Sequence, residues 1–286
     1  MVCPRQGLPK DEAQAAAWYR KAAGHGLAAA QYRLGLLYAS GSGVPKDEAQ
    51  AAEWYRKAAG LGYGLAQNEL GTLCANGRGV PIDLTQAVAW YRKAAEQRIA
   101  DAQFNLGTMY AFGHGVPRDD AQAAAWYRKA ADQGHAEAQY QLGTLYADGR
   151  GVAMDLAQAA TWYRKAASQS HAAAQTDLGT LYDQGHGVAQ DYELAATWYR
   201  RAADQGNTLA QVLLGLMYAV GSGVPHDAVE AYVWLHLAAS RASGNERAEF
   251  GKLRDDQAAQ LTPQQLADAQ KRVRAWVQDF DRRQKR

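Results

Sequence analysis

Cysteine is scarce in this chain: Cys3 and Cys74 are the only two among 286 residues. Two unrelated thiols make no disulfide framework, and a reducing compartment is the simpler setting. Long apolar runs are missing as well. No stretch of about 18 hydrophobic residues occurs, so no membrane-spanning helix is expected. The first 30 residues hold no continuous apolar segment, so no signal peptide is expected either. A cytoplasmic location follows for the chain as it stands, or a periplasmic or secreted one if a signal precedes it. Charge of one sign is also lacking. The formal net charge is +2, with Lys and Arg interleaved among Asp and Glu, which leaves no field for nucleic acid.

What the chain has is repetition. Trp18-Tyr19 returns at Trp54-Tyr55, Trp90-Tyr91, Trp126-Tyr127, Trp162-Tyr163 and Trp198-Tyr199, and degraded as Trp234-Leu235, at a step of 36 residues. Leu-Gly keeps the same step through Gly35, Gly71, Gly107, Gly143, Gly179 and Gly215. A fixed period of this size marks stacked supersecondary units.

Each unit reads as two helices. Helix A of the first full unit is expected over Leu27 to Ser40, with Ala30, Leu34, Leu37 and Tyr38 on one face. Gly35 sits inside it, where glycine costs about 1 kcal/mol relative to alanine. Its recurrence points to a helix–helix approach that a side chain would block. Gly41 can take the left-handed conformation that ends helix A. Val44 plugs the gap between the helices, and Pro45 keeps its predecessor out of the helical region. Asp47 then caps helix B, as do Asp11, Asp83, Asp119, Asp155, Asp191 and Asp227. Ala51, Tyr55 and Ala58 share one face of helix B, with Trp54 beside them. Arg56 and Lys57 complement the negative helix end.

Chemistry is hard to find in this pattern. The Gly-x-Gly loops lack the third glycine and preceding strand of a dinucleotide site and the Gly-Lys-Ser/Thr of a P-loop. His114 and His186 occupy equivalent loops two repeats apart. His25, His135 and His171 lie in connectors, and His226 and His236 near the last repeat, so no metal site is expected. Cys74 replaces a packed tyrosine and reads as a buried thiol. The aspartates recur in every unit, which marks them as structural. No cofactor is expected.

The pattern A-Q-x-x-L-G-x-x-Y-x-x-G-x-G-V-x-x-D-x-x-x-A-x-x-W-Y-x-K-A-A-x-x-G resembles the Sel-1-like repeat family, relatives of the tetratricopeptide repeats. The resemblance covers about residues 5–242, as six full copies and one partial copy. Departures are small: Cys74 for Tyr, Ala153 and Ala189 for Pro, Leu235 for Tyr. The fold expected is an all-α right-handed superhelical α/α solenoid of 36-residue repeats. Residues 1–26 form a partial repeat with helix B only, 27–242 six repeats, and 243–286 capping helices with a basic, frayed tail. Two helices are expected in that last segment, one over about Asn245 to Gln260. The second opens on Thr262-Pro263-Gln264-Gln265 and carries Leu266, Ala269, Val273, Trp276 and Phe280 on one stripe.

The resemblance also implies that the A helices line a concave groove. Positions three and two before the helix-A glycine would then face a partner: Tyr32 and Arg33, Asn68 and Glu69, Phe104 and Asn105, Tyr140 and Gln141, Thr176 and Asp177, Val212 and Leu213. The position one after it reads Leu36, Thr72, Thr108, Thr144, Thr180 and Leu216. Aromatic anchors beside amides and hydroxyls suit a peptide or partner protein. The function expected is a non-catalytic protein–protein interaction scaffold or adaptor. The alternatives are a β-lactam-binding enzyme of the family's cysteine-rich branch, whose regular cysteine pairs this chain lacks, and a toxin-neutralising protein. Self-association through the uncapped N-terminal helix is a further reading.

Overall fold

The computed structural model describes residues 11–284. Cys3, most of the expected partial repeat before Asp11, and the last two residues of the expected basic tail, Lys285 and Arg286, lie outside the described residues. All regular structure among the described residues is helical. The chain divides into two compact units, Met1–His135 and Ala136–Arg286.

In the first unit, α2 (Ala28–Ser40), α4 (Gly64–Asn76) and α6 (Ala100–Phe112) are A helices. The B helices are α1 (Glu12–Gly24), α3 (Glu48–Gly60), α5 (Leu84–Glu96) and α7 (Asp120–Asp132). In the second unit, α8 (Ala136–Asp148), α10 (Ala172–Gln184) and α12 (Thr208–Val220) are A helices, and α9 (Leu156–Ser168), α11 (Tyr192–Asp204) and α13 (Ala228–Arg241) are B helices. The C-terminal pair is α14 (Gly244–Ala258) and α15 (Pro263–Gln284). Consecutive helices pack on one another from α1 to α7 in the first unit and from α8 to α14 in the second, where α15 packs on α13, so each unit is a stack of helical hairpins, an α-solenoid.

Caps set the helix limits. Asp47 accepts the Gln50 N–H at 2.9 Å, and the same aspartate caps every B helix. Gly41 ends α2 in the left-handed conformation, at φ 80°. The residue expected to open helix A, such as Leu27, is its N-cap, so the helix starts one residue later. A Cβ on Gly107 would lie 2.7 Å from the Tyr127 ring, and Gly71, Gly143 and Gly179 meet their own repeat's tyrosine in the same way. The helix-A glycine thus admits the buried helix-B tyrosine. Val80, Val116, Val188 and Val224 pack half-buried against the cores, as expected of Val44's register.

Three recurrent contacts go beyond the sequence reading. The second loop glycine has left-handed φ and lies against the preceding B helix: a Cβ on Gly43, Gly79, Gly115, Gly187 or Gly223 would collide with that helix's backbone. The lysine of Trp-Tyr-Arg-Lys folds over the tryptophan ring, with Nζ of Lys57 4.1 Å from the Trp54 centroid and Nζ of Lys129 3.6 Å from Trp126. The arginine donates to the tyrosine hydroxyl of the next A helix: Arg20 to Tyr38 and Arg92 to Tyr110 at 2.9 Å, and Arg164 to Tyr182 at 2.8 Å. The arginine thus ties one repeat to the next, while the lysine packs within its own helix. Cys74, buried, takes the place of one such tyrosine.

The Gln of the Ala-Gln pair makes a third tie between repeats. Gln67 and Gln103 are buried, and each donates to the end of the preceding B helix, Gln67 to the Ala59 carbonyl at 3.2 Å. Each accepts in turn from a connector glutamine, as Gln97 Nε2 donates to Gln67 Oε1 at 2.8 Å. At Gln31 the connector residue is the exposed Leu61, and the buried Gln31 Oε1 has no partner among the described residues. An unmet buried acceptor costs about 1–3 kcal/mol. Leu61→Gln is therefore expected to stabilise the protein by about 1 kcal/mol. Urea denaturation checks it; an unchanged midpoint would mean that Gln31 is already satisfied.

In the C-terminal pair, Thr262 and Gln265 cap each other: the Gln265 N–H reaches Thr262 Oγ1 at 3.3 Å, and the Thr262 N–H reaches Gln265 Oε1 at 2.9 Å. Ala269 and Val273 are buried, with Leu266 and Trp276 packed half-buried beside them, and the Phe280 ring stacks 4.9 Å from Trp276. The expected stripe forms as read. The tail differs from expectation: Arg282 and Arg283 are helical and pair with Asp279 at 3.5 and 3.3 Å, rather than fraying.

Candidate partner-binding face

The A-helix positions around the conserved-register glycine separate into three environments. Thr72, Thr108, Thr144 and Thr180 are turned to structural use. Each hydroxyl donates to the carbonyl four residues back, Thr144 to Tyr140 at 3.2 Å. Each also bonds the buried helix-B tyrosine, Tyr91 to Thr72 at 3.2 Å and Tyr199 to Thr180 at 3.1 Å. The expectation that these threonines face a groove did not anticipate that bond.

Asn68, Thr176 and Val212 are buried. Asn68 accepts from Asn105 Nδ2 at 3.1 Å. Val212 forms a cluster with Leu235 and Ala238 under Phe250 and Leu253 of α14. α14 covers Val212, and all three residues, being buried, offer a partner little or no surface.

Tyr32, Phe104 and Tyr140 remain half-buried, and all three are built alike. Each ring lies over the buried tyrosine of its own repeat, at centroid distances of 5.9, 5.6 and 5.7 Å from Tyr55, Tyr127 and Tyr163. A connector ring packs against each as well: Tyr63, tilted, at 5.2 Å from Tyr32, and His135 and His171, stacked, at 4.8 Å from Phe104 and 4.6 Å from Tyr140. The two histidines are held by carboxylates at one register, His135 by Asp101 at 3.4 Å and His171 by Glu137 at 2.9 Å. His171 Nδ1 also accepts the Ala174 N–H and caps α10. The sequence reading placed these histidines in connectors and did not connect them to the rings; their 36-residue spacing, shared with Phe104 and Tyr140, was the available signal.

Acidic groups flank these rings. Glu69 and Asp177 are half-buried, and burial pushes both carboxyls above the usual carboxylate range. Asp101 adds to the rise at Glu69, where Asn68 and Arg78 oppose it. At Asp177 the Tyr140 hydroxyl and His171 oppose the rise, and Asp148 adds to it. A raised carboxyl pKa means that the charged form is disfavoured in the fold. At neutral pH each group therefore subtracts from stability, and the loss is relieved as pH falls through its raised range. Burial also pushes the Tyr140 phenol up to about 12. Arg33 and Gln141 lie on the same A-helix register, exposed and half-buried respectively. The described residues contain no group of three or more metal-ligating side chains. Burial pushes the Cys74 thiol up, which makes it a poor nucleophile.

The stacked helical hairpins of each unit define an α-helical repeat protein. The Sel1 repeat family model matches residues 3–27, 28–63, 64–98, 100–135, 136–171, 172–207 and 208–243, and the chain belongs to this family. A Sel1 repeat protein from Oxalobacter formigenes is 37% identical with a TM-score of 0.71, over 79% of this chain and 93% of its own. The protein c5321, a protective antigen present in uropathogenic Escherichia coli strains that displays an SLR fold, is 29% identical with a TM-score of 0.54, over 96% of this chain and 81% of its own. No curated protein matches the chain. Sel1 repeat proteins generally mediate protein–protein interaction and are typically non-catalytic. Among the described residues, no helix is long and apolar enough to cross a membrane.

Proposed function

We propose that this protein is a non-catalytic scaffold that holds a peptide or a partner protein on its A-helix face. The observation that carries this reading is the set of half-buried rings Tyr32, Phe104 and Tyr140, each seated against a buried tyrosine and packed by a connector ring. A ring fixed before binding loses little freedom on binding, and half-buried aromatics are the usual anchors of interfaces. The neighbouring Arg33, Glu69, Asn105, Gln141 and Asp177 supply polar contacts of both kinds along the same register. Asn68, Thr176 and Val212 support the face from beneath.

The test is affinity capture from the source cell's lysate with wild type and with Tyr32→Ala/Phe104→Ala/Tyr140→Ala, both checked by circular dichroism and thermal melting. Proteins retained by the wild type are expected to be lost, because removing an anchor costs about 2 kcal/mol or more. An unchanged set of retained proteins from a folded variant would refute the A-helix face.

A further inference from the structure

We propose that the cleft between α13 and α14 is a binding site for a small phosphate-bearing polyanion. The cleft lies wholly within the second unit, and the proposal is independent of the A-helix face.

α14 begins at Gly244, just after the last residue that the repeat model matches, so repetition does not account for its side chains. A cleft of about 580 Å³ opens between α14 and α13. Small-molecule sites usually measure about 300–1,000 Å³. α14 sorts its charges around this cleft. All of its cations, Arg247, Lys252 and Arg254, line the opening, with Asp255 as the only carboxylate beside them. The other acids of the helix, Glu246, Glu249 and Asp256, do not line it. Phe250 and Leu253 pack on Val212, Leu235 and Ala238, which fixes the rotation of α14 and holds the basic stripe at the cleft.

The one carboxylate is already used. Asp255 Oδ1 accepts from Arg254 Nε at 2.8 Å and pairs with Nη2 of the same guanidinium at 2.7 Å. Arg247 is anchored without being neutralised, its Nε donating to the Ala242 carbonyl at 3.1 Å. Lys252 is exposed and has no ion pair among the described residues. Two cations therefore meet the cleft uncompensated. His236 lines the α13 wall. Burial first, then the Arg254 charge, push its imidazole below its ordinary range against the opposing pull of Asp255, so the ring is neutral at pH 7. Its Nδ1 lies 3.1 Å from the Tyr232 hydroxyl, which leaves Nε2 for a ligand. Gly251 keeps the floor open: a Cβ there would meet nothing nearer than Arg254 Nη2 at 3.9 Å.

This chemistry selects an anion. An apolar ligand would desolvate Arg247 and Lys252 without a partner. A cation would be repelled. A single carboxylate presents two coplanar oxygens, which one guanidinium fork satisfies. A phosphate presents oxygens in tetrahedral directions and can accept from a guanidinium and an ammonium on separate arms at once.

The probe is pyrophosphate, titrated calorimetrically into the full chain at low salt beside citrate. Pyrophosphate is expected to bind, and citrate about tenfold more weakly. Lys252→Gln is expected to weaken pyrophosphate about tenfold, the loss of one charge-assisted contact, with an unchanged melting temperature. Gly251→Leu keeps every cation, favours the helix and fills the cleft. It should melt at or above the wild-type temperature and bind no pyrophosphate. Lys271→Gln, a cation of α15 that does not line the cleft, should bind as the wild type does. No binding of pyrophosphate, equal binding of citrate, or wild-type affinity in Lys252→Gln would overturn the proposal. So would wild-type affinity in a folded Gly251→Leu, or an equal loss in Lys271→Gln, which would reduce the effect to net charge. If Gly251→Leu melts lower than wild type, Lys252→Gln and Lys271→Gln decide the matter between them.

Discussion

Gly187→Ala is expected to destabilise the protein by about 3 kcal/mol, from two sources that add. Gly187 has φ 70°, in the left-handed region, where a side chain costs about 1–2 kcal/mol. A Cβ there would also lie 2.6 Å from the Ala157 backbone nitrogen, at the start of the preceding B helix. Backbone cannot swing aside as a side-chain tip can, so the two repeats must part, at about 1–3 kcal/mol for overpacking of this kind. Gly185→Ala, two residues away, is the internal control. Its φ is 69°, but its Cβ would meet the Gln190 Cβ at 3.1 Å, which a small shift accommodates. It is expected to cost about 1 kcal/mol, the backbone contribution alone. Urea denaturation of both variants decides the matter. Equal losses would mean that the loop does not bear on the preceding repeat as its geometry requires.

That loop shows how far the sequence can be read. The period, both helices of each unit, the aspartate caps and the left-handed Gly41 were legible because they are local: a cap needs only its own next turn, and a C-terminal glycine only its own φ. The helix-A glycine was legible in kind, since a costly residue repeated at a fixed step must admit something. That its occupant is the ring of Tyr55 or Tyr91 depends on packing between helices. Contacts between repeats were harder still. Gly43 touches Glu12, and Gln67 accepts from Gln97 and donates to Ala59, over separations that no helical period reports.

Burial along the expected face was harder to read for the same reason. Register placed Tyr32, Phe104 and Tyr140 together, but it treated Asn68, Thr176 and Val212 as their equals. Burial depends on what covers a position, and Val212 is covered by Phe250 and Leu253 from outside the repeat pattern. The threonines misled differently. A small polar residue beside a glycine reads as a surface group until the tyrosine hydroxyl that needs it is located.

The glycine–tyrosine fit can be tested apart from the candidate face, at Gly179 and Tyr199. A Cβ on Gly179 would lie 2.7 Å from the Tyr199 ring, which is almost fully buried. Gly179→Ala gains about 1 kcal/mol of helix propensity. It loses more to the clash, about 1–3 kcal/mol, so the single variant should be less stable than wild type. Tyr199→Ala should cost about 3–5 kcal/mol, as a buried aromatic ring is removed. In that background the clash is gone. Only the Ala195 carbonyl, 3.3 Å from the added Cβ, still resists. Gly179→Ala should then become neutral or stabilising. The double-mutant cycle is therefore expected to show a coupling of about 2 kcal/mol, with the sign of the glycine substitution reversed or abolished. Additive losses would mean that glycine recurs there for a reason other than the tyrosine ring, and the account of how each hairpin closes would have to be rebuilt from the Ala195 carbonyl outward.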